Sequence, residues 1–534
     1  MRLKSNHPFC FACKTHFVVR SLLIAFFLLA SSLTLSAHNN SPSLCYTSEP
    51  GTGLLVSNDG GASFVKRNTG LPIRIVYPFS GEEYQAITSI GVDPQNPRRI
   101  SVTTASGLYY SDSAGEHWQR IPLPANLNQS STLTASAPSP HDPNHFLLGT
   151  SFTGFYETQN GGASWRHITE NDMFSFLEQG AGFKEEISGL AYDPNSAGII
   201  YFELGFGGGV YKVNADFSLE SVNQAPSQSS WTIEPPDSYR REASILSSMQ
   251  RRPPHNQEGR EERLSAARGH TGIFLNPYQA QPERLSGHIR FLQEHNMDSV
   301  VVDFKDDTGH LTYNSQLELP AEIGAIRARF NASELISTLH ENDIYIIARI
   351  VVFKDASLFA YNENRFALWD RVNDRPWGNY QTQTDDAGNE HTSIREHWVD
   401  GFSEEVWRYN IAIATELQEL GVDEIQFDYI RFPSDGPTGT IQHRFARPGM
   451  RRTDALASFL RMARHQLHIP IGTDVFGFNA WYRTDYLGQN LEILSEFIDV
   501  VSPMYYPSHF SRNFHRELSY FDRAEFIYDT GSQR

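Results

Sequence analysis

From residue 270 onward, strand-like apolar runs alternate with amphipathic helical stretches, and this alternation constrains the fold more than any other feature of the chain. Residues 271–276, 298–305, 344–353, 424–432, 469–476 and 500–505 read as strands. Residues 282–295, 331–342, 403–421, 453–468 and 487–496 read as helices between them. A polar, Trp-bearing stretch over 354–401 is far longer than an ordinary strand-to-helix loop. Such a run of units builds a parallel sheet. It suits an α/β TIM barrel that stops early, because two further strands are not found after Tyr506 and 524–528 supplies one strand or helix at most. A doubly wound sheet would give the same alternation and stays open as the alternative.

Within the fourth strand, Ile425, Phe427 and Tyr429 fall on one side, with Gln426 and Asp428 on the other. An ionisable group on an otherwise buried strand is costly unless it is paired or used. At the C-terminal end of a barrel strand it stands where that fold places its chemistry.

Residues 45–221 follow a different plan. Ser57-Asn58-Asp59-Gly60-Gly61-Ala62-Ser63-Phe64 returns as Ser111 to Trp118 and as Thr158 to Trp165, with Ser113 at the Asp position of the middle copy. Asp93-Pro94, Asp142-Pro143 and Asp193-Pro194 alternate with these copies, each ahead of a short β-type run. The period, roughly 50 residues, is that of propeller blades. The repeat resembles the Asp-box (BNR) hairpin of sialidase-like and sortilin-like propellers, which implies an all-β, propeller-like domain of about four blades. In that family the box lies away from the catalytic face, so it is given no catalytic role.

Basic residues ahead of the apolar run 22–30 and a small-residue stretch ending at Ala37 have the order of a secretory leader over 1–37. Cys10 and Cys13 lie inside it, so their Cys-x-x-Cys spacing is not read as a redox or zinc motif. Only Cys45 would remain after cleavage. The expected location is secreted, periplasmic or cell envelope, with no stable membrane insertion once the leader is removed. Residues 222–268, rich in proline and charge, read as a linker with a helical piece over 258–267. The net charge of −18 argues against nucleic acid as a partner.

The blocks Thr271 to Leu275, Asp303-Phe304-Lys305-Asp306-Asp307, Ile347-Ala348-Arg349-Ile350, His397-Trp398-Val399-Asp400, Glu424 to Pro433, Gly472-Thr473-Asp474-Val475-Phe476 and Met504-Tyr505-Tyr506-Pro507 occur in order at the strand ends. Through them, residues 269–534 resemble a bacterial family of TIM-barrel proteins classed as glycosyl hydrolases, within the broad group of amylase-like and α-galactosidase-like enzymes. The resemblance implies hydrolysis of a polysaccharide or glycoconjugate, with no cofactor. Glycoside hydrolysis needs two carboxyl groups flanking the scissile bond. Asp428 and Asp474, on neighbouring strands, are the expected pair; the amylase-like pattern makes Asp428 the nucleophile and Asp474 the acid/base, an order that spacing alone does not set.

Around them, Asp303 and Lys305 are two apart and expected to share a face, the pair either holding Asp428 ionised, bonding sugar hydroxyls, or forming a purely structural ion pair. Arg349, among Ile346, Ile347, Ile350 and Val351, needs a carboxylate, with Asp303 or Asp428 as candidates. Arg431 is a second basic residue beside the acids. Tyr505, Tyr506 and His509 are read as rim contacts, and Trp398 as a sugar-stacking ring or part of the insertion's own core. No His-Glu-x-x-His, Gly-x-Ser-x-Gly or phosphate-binding Gly-Lys-[Ser/Thr] loop is present, and no metal site is expected. A non-catalytic carbohydrate-binding or adhesion protein on a degenerate barrel is the rival reading.

Overall fold

The computed structural model describes residues 44–222 and 259–533, apart from short interruptions. The leader read over 1–37, its two cysteines and most of the segment read as a linker lie outside the described residues.

The N-terminal part is a series of small antiparallel sheets. The first pairs Cys45–Glu49, Gly53–Ser57 and Val65–Lys66. Three four-stranded sheets follow, opening with Ile87–Val92, Leu133–Pro138 and Ile187–Tyr192. Each opening strand carries a register shift at its start, between Ile87 and Ser89, Leu133 and Ala135, and Ile187 and Gly189. The three lie side by side: Thr88 donates to the Leu133 carbonyl at 2.6 Å and Thr134 to the Ile187 carbonyl at 2.7 Å.

The repeated turns have one geometry. The Ser57 hydroxyl accepts from the Gly61 amide at 2.8 Å, while Asp59 accepts from the Ser63 amide at 2.9 Å. Thr158 and Asn160 do the same for Gly162 and Ser164, each at 2.9 Å. In the departing copy Ser113 still accepts from His117, but at 3.3 Å, because a hydroxyl reaches less far than a carboxylate. Each tryptophan ties its turn back to an earlier segment: Trp118 donates to the Arg67 carbonyl at 2.9 Å and Trp165 to that of Pro122 at 2.8 Å.

The C-terminal part is α/β. Its parallel strands are β1 (Gly272–Leu275), β2 (Ser299–Lys305), β3 (Tyr345–Val351), β4 (Glu424–Asp428), β5 (Ile471–Phe476) and β6 (Val500–Met504). Every strand pairs with the next in sequence. A doubly wound sheet requires a reversal of that order, so this alternative falls. Among the described residues no strand joins β1 to β6. Helices α1 (Pro282–Glu294), α2 (Ala332–His340), α3 (Glu404–Leu420) and α4 (Arg452–Gln466) make the connections. In α3, Ser403 caps the first turn through Val406 N–H and Gly421 ends the helix at φ +101°. Its face of Val406, Asn410, Ile413 and Leu417 is buried, which is what the amphipathic spacing predicts.

Other elements differ in extent from the expectation or were not read. Leu311–Tyr313 turns back antiparallel on the end of β2, with Ile326–Phe330 added beside it. The helix after β5 is only Leu491–Leu494, and the last residues form α5 (Tyr520–Gln533). Among the described residues, no helix is long and apolar enough to cross a membrane.

The two parts are in contact. Val76 and Ala86 are buried in the α/β core, the Tyr77 amide donates to Ser458 on α4 at 2.9 Å, and Arg74 bridges Glu83 and Glu496. The helix Arg260–Ala267 is held by Arg263, whose guanidinium meets the buried Asp499 at 3.0 Å.

Lys305 is fully buried, pairing with Asp355 at 2.7 Å and donating to Asn410 and the Val351 carbonyl. Removing one partner of a buried pair leaves an uncompensated charge. Lys305→Ala is expected to cost roughly 3–5 kcal/mol in denaturant unfolding; a loss below about 1 kcal/mol would mean that the pair holds nothing together.

At the opposite, N-terminal end of β4, burial, with Asp499 adding to it and the Tyr345 hydroxyl opposing it, pushes the Glu424 carboxyl up to about 7. The folded state then binds a proton that the unfolded chain releases above its ordinary carboxylate value. Stability should therefore fall as pH rises from that value to about 7, by roughly 3 kcal/mol at most. Melting temperatures across that window should be flatter for Glu424→Gln; an equally steep wild-type-like fall would assign the effect elsewhere.

Candidate active site

Asp303 ends the regular part of β2, Arg349 lies opposite it in register on β3, and Gln426 lies opposite Arg349 on β4. The guanidinium of Arg349 is the hub. Its Nε donates to Asp428 Oδ2 at 2.9 Å, a second nitrogen reaches the same oxygen, and a third donates to Asp303. Asp474 Oδ2 stands off at 3.9 Å from Nε. Both partners expected for Arg349 are thus engaged at once.

Asp428 and Asp474 occupy different environments. Asp428 has Arg349 and also accepts from the Tyr429 amide. Tyr429 has φ +48°, a region that a bulky residue enters only at a cost of about 1–3 kcal/mol. That conformation ends the strand alternation and aims the Tyr429 N–H at the acid beside it. Asp474 receives a hydrogen bond from Gln426. Burial first, and then the charge of Asp428 and a hydrogen bond between the two carboxyl groups, hold Asp474 well above the ordinary carboxylate range. Burial also raises Asp303, against the pull of Arg349.

The remaining expected residues divide. Lys305 does not share the face of Asp303, because a register shift between them inserts an extra residue at Phe304 and turns the lysine into the protein. Trp398 is 2% exposed and packs beneath the site, its ring 5.6 Å from Tyr429 and 5.0 Å from the Arg431 guanidinium. Trp377 is buried too, donating to the Pro437 carbonyl, so both rings help to build the insertion's core. Arg431 also lies over Tyr429 and Phe476 and donates to Ser434 at 3.4 Å. Tyr505 turns away and donates to the Gly531 carbonyl at 2.7 Å. Its neighbour Tyr506 takes the rim position: its hydroxyl is raised by burial and then by the charges of Asp474 and Asp428. The His509 ring lies 5.2 Å from that of Tyr506, tilted by 59°.

Sequence reasoning missed Phe274. It is 53% exposed on edge strand β1, 5.9 Å from Arg349, and Val501 is exposed on edge strand β6. An apolar residue at an inward strand position was the available signal. Phe274 shares the face of Asp303 and Arg349 and leaves that face open at β1, whereas Val501, paired with Thr473, lies on the other face.

Residues 272–530 match a family model described as "Putative glycosyl hydrolase domain". The matched residues are those of the α/β part. The match supports a glycosidase role at the level of class. A hypothetical protein from Ruminiclostridium thermocellum is 30% identical over 38% of this chain and 97% of its own, with a TM-score of 0.32. Trehalose-6-phosphate hydrolase from Bacillus licheniformis is 12% identical over 48% of this chain and 53% of its own (TM-score 0.31). The GH74 xyloglucanase from Xanthomonas campestris is 16% identical over 34% of this chain and 28% of its own (TM-score 0.23). No curated protein matches the chain.

Proposed function

We propose that the chain is an exported glycoside hydrolase acting on a polysaccharide or glycoconjugate, with Asp428 as nucleophile and Asp474 as acid/base. The carrying observation is the contrast between the two acids: Asp474 is buried and held above the carboxylate range beside an Asp428 that is fixed by Arg349 and Tyr429. Asp428 attacks the anomeric carbon as the glycosidic C–O bond breaks, and Asp474 gives its proton to the departing oxygen. Water then attacks the glycosyl ester and yields its proton to Asp474. Asp303 and Arg431 belong to the surround of this centre, and Phe274 and Tyr506 supply ring faces for sugar. In this reading the six parallel strands are a TIM barrel left open between β1 and β6, and the N-terminal sheets are propeller blades. The exposure of Phe274 and Val501 on those open edges favours the rival, a binder without turnover.

Two substitutions separate the readings. Asp428→Asn should lower release of reducing sugar by roughly 10³-fold or more, with circular dichroism and glycan binding retained; turnover that survives it excludes Asp428 as nucleophile. Asp474 must carry a proton to act as the acid, so wild-type activity should fall as pH rises through its elevated pKa. Asp474→Asn should remove that alkaline limb and lower the rate about 10²–10⁴-fold, less on aryl glycosides whose leaving group needs no proton. An unchanged pH profile would move the acid role to another group.

A further inference from the structure

A groove of about 720 Å³ lies between the N-terminal sheets and the loop that follows β4. One wall carries Ser106, Arg120 and Leu123; the other carries Ser434, Arg451 and Arg452. Each arginine is held in place by neutral oxygens. Arg120 donates to the Ser106 carbonyl at 2.9 Å, Arg451 to the Ser106 hydroxyl at 2.9 Å, and Arg452 to the Tyr486 carbonyl at 2.6 Å. Arg431 donates to the Phe432 carbonyl and to Ser434, and its Nε is buried with no hydrogen-bond partner. Among the described residues, none of the four has a carboxylate oxygen within 4 Å. Elsewhere the chain pairs such groups closely, as in Arg74–Glu83 at 2.7 Å, Arg461–Glu83 at 2.7 Å and Arg166–Glu157 at 2.5 Å.

The groove's lining does not include the acids, but residues in its wall touch or feel the charge of Arg431. Tyr486 lines the groove, and the Tyr486 hydroxyl, raised by burial, is pulled back by the charge of Arg431. Ser434 lines it too and touches Arg431 directly. Arg431 in turn is near enough to Asp428 to feel its charge. Three guanidinium groups without a close carboxylate line the groove, against the single acid Asp485, in a chain of net charge −18. Planar guanidinium forks match carboxylate and sulfate oxygens, and mixed polar and apolar walls match a sugar backbone.

We propose that this groove binds an anionic glycan, one bearing carboxylate or sulfate groups along its chain, and presents it to Asp428 and Asp474. The inference rests on the hydrolase reading for its last step only; the binding step stands on the arginines. It also gives the N-terminal sheets a part in recognition, because Arg120 and Ser106 come from them.

The test is calorimetric titration of the full chain carrying Asp428→Asn, so that ligand is not consumed, with polygalacturonate, dextran sulfate and neutral dextran. At least one of the two acidic polymers should bind and dextran should not, and binding should weaken at high salt. Which acidic polymer binds assigns carboxylate or sulfate. Adding Arg120→Gln and Arg451→Gln, both on exposed side chains, should weaken that binding about tenfold or more, whereas Arg290→Gln on the outer face of α1 should not. Binding of dextran as tight as that of the acidic polymers, or a double variant within about twofold of its parent, overturns the proposal. An acidic polymer bound by the Asp428→Asn protein but left uncut by wild type keeps the groove and overturns the hydrolase reading. A neutral glycan cut by wild type, with no acidic polymer bound, does the reverse.

Discussion

One cation organises the α/β half. Arg349 is inward-facing on β3, and its guanidinium fills the space between acids on β2, β4 and β5. Three carboxyl groups this close repel one another when ionised, and burying them without a partner would cost several kcal/mol each. Arg349 is the group that makes their juxtaposition possible. It does so unequally. Asp428 and Asp303 take direct bonds, whereas Asp474 is left at 3.9 Å with Gln426 as its donor. A single charge placed off-centre therefore creates two kinds of acid from the same side chain.

The inner face of the sheet has a second consequence. In a closed barrel, inward side chains fill the interior in layers. Here β1 and β6 have no strand between them among the described residues, and the inward Phe274 of β1 is exposed. The acids are nonetheless buried, because the insertion after β3 and the loop after β4 roof that side. Trp398 and Trp377 are the rings around which that roof packs. Lys305, paired with Asp355 at the start of the insertion, anchors it to β2.

Much of this was legible in the sequence, and the misses have physical causes. Each of the six strands appeared within a few residues of its expected position, because apolar runs bounded by polar turns are read directly. The partners of Arg349 followed from the cost of an isolated buried guanidinium. Lys305 escaped because a bulge at Phe304 breaks the two-residue alternation, and bulges carry no dependable sequence mark. Tyr505 and Tyr506 were separable only by the point at which β6 ends, since one residue of phase exchanges the two faces. The hairpin formed by Leu311–Tyr313 is too short for periodicity to reveal. The repeated turns were legible as repeats, because side-chain-to-backbone bonds within one turn depend on local sequence alone.

Tyr429 connects the two ends of this account. As a residue of β4 it should have continued the apolar face of Ile425 and Phe427. Its positive φ instead directs its amide to Asp428 and places its ring between the Lys354 ammonium, 4.9 Å away, and the Arg431 guanidinium, 5.2 Å away. Strain of this kind persists only where the surroundings over-determine it. Two cations on one ring, with Trp398 alongside, supply that determination. The same Arg431 that helps to hold Tyr429 also donates to Ser434 in the wall of the basic groove.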